Sequence, residues 1–247
     1  MNNMQRILFV IYLPITFLIL IFDHIYPIED MVQYLKYTIM ITLFLFSISI
    51  KKKFHEQKIM ALSFFFLVIA DFFLVFSTTL DNFKMDVSPF GVVGFLFAYL
   101  CLIVAYQKNF KIGKEEIMSG IPVVSVFMYV FISLQPYVNK HILIGTLIFG
   151  IVLCYMTWTG ICTLFRNYFN LKISRLIAIS SILMFICDLG VAFSKFHPVY
   201  SKMHVPWLDN IIWAAYIPGW TILAVIINEK NLLINVKDKS SFRNMKK

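Results

Sequence analysis

The chain has 247 residues, of which 60% are hydrophobic and only 14% charged, with 26 phenylalanines. A typical soluble domain carries about 25% charged residues, and one of this size cannot hide so much apolar surface, which excludes a water-solvated globule. The net charge of +9 sits in short segments between apolar runs and at the C-terminal end, which argues for membrane topology and against a nucleic-acid partner.

A lipid-spanning helix needs about 20 mainly apolar residues, and its backbone must be paired within the segment. The apolar runs predict helices at 7–22, 33–50, 59–80, 88–107, 117–135, 141–165, 174–194 and 207–228. The fold class is therefore all-α, a polytopic bundle of eight transmembrane helices. The first run has only Arg6 as a charged start and is followed by Asp23-His24, with no small-x-small cleavage site, so it reads as a retained span. The fifth run is bracketed by Pro122 and Pro136. Residues 1–228 form one domain, and 229–247 form a polar, basic, mobile tail.

Orientation follows from the basic residues. Seventeen of the 22 Lys and Arg lie on the side of the N-terminus and five on the other, namely Lys36, Lys84, Lys140, Lys195 and Lys202. Both termini are expected in the cytoplasm. The abundance of Lys, Ile, Asn and Phe points to an A/T-rich genome, and a bacterial inner membrane is the expected location.

The runs also contain an internal repeat. A shift of 117 residues lays Ala70-Asp71-Phe72-Phe73-Leu74-Val75-Phe76-Ser77 on Cys187-Asp188-Leu189-Gly190-Val191-Ala192-Phe193-Ser194. The same shift brings Ser63 onto Ser180, Ala98-Tyr99 onto Ala215-Tyr216 and Lys58 onto Arg175. The predicted architecture is a 4 + 4 parallel repeat, with the third and seventh helices facing each other.

Asp71 and Asp188 are the carboxylates placed deep in predicted spans. A carboxylate in mid-membrane costs roughly 2.5–3.5 kcal/mol on insertion scales and usually faces a bundle interior or a wet cavity. Asp71 lies 12 residues into its predicted helix, about 18 Å along it at 1.5 Å per residue. Helical spacing puts Thr78 on the Asp71 face, and Ser181 and Lys195 on either side of Asp188. Tyr99 and Tyr216 reach a similar depth. The expected polar core is Asp71, Asp188, Tyr99, Tyr216, Ser63, Ser180 and Ser181, with Lys195 at its outer mouth. Two carboxyls in one low-dielectric pocket do not both ionise readily, so one can serve as general acid and the other as the base that activates water. Such a pair suits hydrolysis of an acid-labile ether or acetal, or a proton relay in a transporter; a non-catalytic scaffold or sensor is the third reading.

Metal chemistry is not indicated. Cys101, Cys154, Cys162 and Cys187 lie in apolar runs without zinc spacing, and no predicted span holds a histidine inside its ends. His197 and His204 fall in the last outer loop. The sequence has no Gly-x-Ser-x-Gly elbow, P-loop or His-Glu-x-x-His motif.

Three stretches carry a resemblance to a known family. Ala70-Asp71-Phe72-Phe73-Leu74 is similar to a Gly-Asp-x-x-Leu signature. Gly91 to Tyr106 is similar to a Gly-x-x-x-Phe-x-x-x-His element, with Gly91 and Phe95 in register. Met184 to Phe193 is similar to Phe-x-x-Ser-Asp-x-x-x-Ala. In these features the chain resembles the YhhN-like lysoplasmalogenase family of eight-span membrane proteins. Ala70 and Cys187 replace a Gly and a Ser of that pattern, and Tyr99 stands where the family usually has His. The resemblance implies a lipid substrate within the bilayer, a lysoplasmalogen, whose vinyl ether is hydrolysed to a fatty aldehyde and a glycerophospho-base. It implies Asp71 and Asp188 as the catalytic pair and no cofactor; beside them, the polar-core residues Tyr99, Tyr216, Ser63, Ser180 and Ser181, read from spacing, are expected to bind substrate, as is Lys195 if it faces the cavity.

Overall fold

A computed structural model describes residues 3–26, 29–80, 87–203 and 205–234. Among them, eight helices are long and apolar enough to cross a membrane. These are α1 (Asn3–Ile25), α2 (Asp30–Ser49), α3 (His55–Leu74), α4 (Ser88–Tyr106), α5 (Lys114–Leu134), α6 (Lys140–Cys162), α7 (Leu171–Phe196) and α8 (Pro206–Ile227). The chain is an integral multi-pass membrane protein. Lys84, His204 and the tail beyond Ile234 lie outside the described residues, as does the side chain of Thr78.

All of these helices but α4 begin earlier than the apolar runs alone indicate, because mostly polar first turns extend them into the interface. His24 and His55 lie within helix ends, outside the predicted runs. At the other end α3 departs most from its run and stops six residues early, at Leu74. Beyond it, Phe76–Thr79 tighten into a 3-10 turn. The Ser77 and Thr79 hydroxyls there donate to the carbonyls of Phe73 and Phe76, an alternative to regular helical bonding. Pro14, Pro122 and Pro218 sit inside α1, α5 and α8 without ending them.

Lipid supplies no hydrophobic drive between helices, so association relies on close packing and on small residues. The two most extensive contacts join α3 to α4 and α7 to α8. On α4, a Cβ added at Gly94 would lie 2.9 Å from the Ala70 Cβ, and one at Gly91 would strike Leu74. Gly160 on α6 leaves no room for a side chain against Ser181 on α7. Helix α8 is the most enclosed and α5 the least. Around α8 gathers the core, with Trp220 fully buried and edge-on to Phe64 at 5.3 Å.

The first part of the expected mobile tail is docked. Phe169 and Leu233 form an antiparallel β-bridge, flanked by Asn170 N–H to Leu232 O at 3.0 Å and Ile234 N–H to Tyr168 O at 3.2 Å. Leu232 is fully buried. The Gln57 side chain donates to the carbonyls of Ile227 and Glu229, and Gln5 donates to the Glu229 carboxylate at 2.9 Å. Unpaired carbonyls at the end of α8 are thus closed by a side chain from α3.

Candidate active site

Asp71 lies one turn before the end of α3, and Asp188 lies two turns before the end of α7. Asp71 is 16 residues past His55 and Asp188 is 17 past Leu171, which places them about 24 and 26 Å along their helices. Both sit higher than the sequence indicated, because α3 and α7 begin earlier.

The tyrosines reach them crosswise. Tyr216 on α8 sits 2.7 Å from both Oδ1 and Oδ2 of Asp71, and its hydroxyl donates to that carboxyl. Tyr99 on α4 donates to Oδ2 of Asp188 at 2.5 Å. Each bond runs from a helix of one half to a helix of the other. The 117-residue shift turns one pair into the other, since Asp71 becomes Asp188 and Tyr99 becomes Tyr216. Both tyrosines pack on Phe95, so the two carboxyl–tyrosine pairs share one neighbourhood. Phe95 stands between the tyrosines, its ring centroid 6.0 Å from each.

The two carboxyls differ in access. Asp71 is 2% exposed, while Asp188 keeps part of its surface open. Tyr216 is walled by Trp213 and Trp220, at 5.4 and 6.4 Å. Tyr99 packs on Phe149 at 5.9 Å.

The remaining expected members stand elsewhere. The Ser63 hydroxyl donates to Met60 O at 2.6 Å within its own helix. Ser180 donates to Gly219 O at 2.7 Å and clamps α7 to α8. Ser181 is buried against α6 with no partner for its hydroxyl. These serines lie seven or eight residues before the aspartates, roughly 10–12 Å down the helices. Lys195 is exposed in the last turn of α7. His197 stacks on Tyr200 at 4.2 Å. Among the described residues, no group of three or more His, Cys, Asp or Glu is placed to hold a metal ion.

A buried ion pair escaped the sequence reading. Lys36 Nζ meets Asp23 Oδ1 at 2.7 Å, both side chains being 4% exposed or less. The ammonium also lies 4.5 Å from the ring centroid of Trp213, the residue packed edge-on to Tyr216. Asp23 closes the first apolar run and Lys36 opens the second, a spacing that a helical hairpin brings together. That was the available signal.

No curated protein and no solved structure matches the chain. The sequence model of the YhhN family matches residues 31–226, a span that takes in both aspartates, both tyrosines and seven of the eight helices. On that match, the chain belongs to the YhhN family.

Proposed function

We propose that the protein is a membrane lysoplasmalogenase, hydrolysing the vinyl ether of a one-chain glycerophospholipid by acid–base action of Asp71 and Asp188. The observation that carries the reading is the crosswise pairing, which holds two carboxyls from separate helices in one apolar neighbourhood beside tyrosine donors. It is also the contact pattern expected of a parallel 4 + 4 repeat with a pseudo-two-fold axis.

Asp71, sealed and facing Tyr216 through both oxygens, serves as the acid. It gives its proton to the vinyl carbon remote from oxygen, leaving an oxocarbenium ion. Asp188, with open surface, takes a proton from water as the water adds to that cation. The resulting hemiacetal then collapses: Asp188 gives its proton to the departing glycerol oxygen, which leaves as an alcohol, while Asp71 takes the hemiacetal hydroxyl proton. This yields a free aldehyde and a glycerophospho-base, and returns the carboxyl pair to its starting charge. Tyr99, in the place of the usual family histidine, orients Asp188 by a hydrogen bond and is too weak a base to compete with it near neutral pH. The apolar bundle receives the alkenyl chain. Ser180 clamps α7 to α8 below the pair, and Lys195 meets the head group at the outer rim. The face where α1, α3, α5 and α7 begin is cytoplasmic, in the inner membrane of a bacterium, and both termini lie there.

The test is release of free aldehyde from lysoplasmalogen by purified protein. Asp71→Asn and Asp188→Asn should each reduce turnover by about 10²–10⁴-fold with the thermal transition retained. Wild-type turnover in either variant removes that aspartate from the mechanism. Absence of aldehyde from the wild-type protein, with proton-coupled uptake into vesicles instead, replaces hydrolysis by transport.

A further inference from the structure

At the end of the bundle where α5 and α7 begin, a cavity of about 480 Å³ is lined by Lys111, Gly113, Lys114, Glu115 and Arg166 among others. It lies remote from the aspartates, since Asp188 stands 17 residues up α7 from Leu171, about 26 Å at the helical rise. Nothing in the proposed hydrolysis uses it.

The Arg166 side chain is 1% exposed, and its Nε donates to Glu116 Oε1 at 2.9 Å. Its Nη1 and Nη2 are buried without a hydrogen-bond partner. The guanidinium is fixed between Phe110 and Trp158, at 5.2 and 5.9 Å from their ring centroids. Leaving buried, charge-bearing donors unpaired costs more than the net gain of a hydrogen bond, so an acceptor belongs there. A second set of donors adjoins them. Gly113 caps α5 with no side-chain hydrogen bond, so the N–H groups of the first turn have no intrahelical acceptor and carry the positive end of the helix dipole.

The charges limit the acceptor. Lys111, Lys114 and Arg166 stand against Glu115 and Glu116, three cations to two carboxylates, which leaves one positive charge for the ligand to balance. A phosphodiester carries one negative charge, whereas inorganic phosphate carries more near neutrality. The rim is suited to a lipid, because Ile112 is 70% exposed and Phe110 45% exposed between the lysines. We propose that this cavity binds the phosphodiester head group of an anionic glycerophospholipid, with Arg166 and the α5 N-terminus taking the phosphate oxygens and Lys111 and Lys114 at the entrance.

The probe is short-chain phosphatidylglycerol, titrated into the full-length protein in non-ionic detergent. Tryptophan emission is followed, and Trp158→Phe isolates the local signal. Parallel titrations use diacylglycerol and inorganic phosphate at matched ionic strength. A saturable Trp158 response to phosphatidylglycerol is expected, weakened roughly fivefold for each lysine removed in Lys111→Gln/Lys114→Gln. It should vanish in Glu116→Gln/Arg166→Gln, which removes both buried charges together. If that variant does not fold, the lysine variant decides. An equal response to diacylglycerol, or an unchanged affinity in the lysine variant, overturns the proposal. Binding of inorganic phosphate as tight as that of the lipid overturns the lipid assignment. An aldehyde assay is not involved, so failure here leaves the hydrolase reading intact, and the reverse.

Discussion

Asp71 and Asp188 each accept a tyrosine hydroxyl from the opposite half of the chain, yet one is sealed and the other partly open. Around Asp71 the wall is tight because Gly94 lets α4 approach Ala70, and Trp213 and Trp220 close over Tyr216. At the positions related by 117 residues, Gly94 corresponds to Ile211, Phe95 to Ile212 and Ala70 to Cys187. The contrast teaches that the same carboxyl–tyrosine pairing recurs at both positions, while the size of a few neighbours sets how tightly each carboxyl is enclosed.

The strongest way to break the contrast is at Gly94. Gly94→Leu should wedge α3 from α4 and cost about 3 kcal/mol, read as thermal unfolding in detergent. Ile211→Leu, at the related position, should stay within about 0.5 kcal/mol. Equal losses would mean that the two helix pairs are packed alike. Next come the tyrosines. Tyr216→Phe leaves a sealed carboxyl without its donor and should cost about 1–3 kcal/mol. Tyr99→Phe should cost less than about 1 kcal/mol, because water can replace the lost donor at Asp188. A reversal of that order would place the open side at Asp71. A milder probe is covalent: a carbodiimide should modify Asp188 well before Asp71, as followed by peptide mass spectrometry. Matching rates would erase the difference in access.

The smallest effect is expected at the far end of the molecule, and serves as a control. Burial alone would raise the Glu229 carboxyl, but hydrogen bonds from Gln5 and the Asn231 N–H, together with Lys172, outweigh it and hold it below its ordinary 4.5. A carboxylate with a lowered native pKa binds fewer protons folded than unfolded. Its contribution is therefore complete above the unfolded value and drains away as pH falls through the lower native one. Below about pH 4.5 the segment after α8 should loosen, at a cost under about 1 kcal/mol for so accessible a group. Hydrogen exchange at Leu232 and Ile234 reports it. Loss of protection already at pH 6 would assign the loosening to another group.

Much of this arrangement was legible in the sequence. Composition and spacing gave eight spans in the right order, and the shift of 117 residues singled out both aspartates and both tyrosines. The partners were not legible, because depth along a helix fixes height and says little about azimuth. The shift aligns the starts of α3 and α7, and of α4 and α8, within one residue. It does not hold for α2 and α6, whose starts differ by 110 residues (Asp30 and Lys140). Ser180 and Ser181 looked like site residues because polarity in a span invites that reading; their hydroxyls lie at helix contacts instead. Lys36 was counted only as a charge of the outer side, whereas the hairpin of α1 and α2 buries it on Asp23.

The crosswise bonds also fix an order of events at the ribosome. Tyr99 is made 89 residues before the carboxyl it will hold, but Asp71 precedes its own tyrosine by 145 residues. At 5–20 residues per second that interval lasts roughly 7–30 s. Throughout it the nascent third helix carries an acid whose permanent donor has yet to be synthesised, so the insertion machinery or a captured proton must shelter that group until the last span arrives.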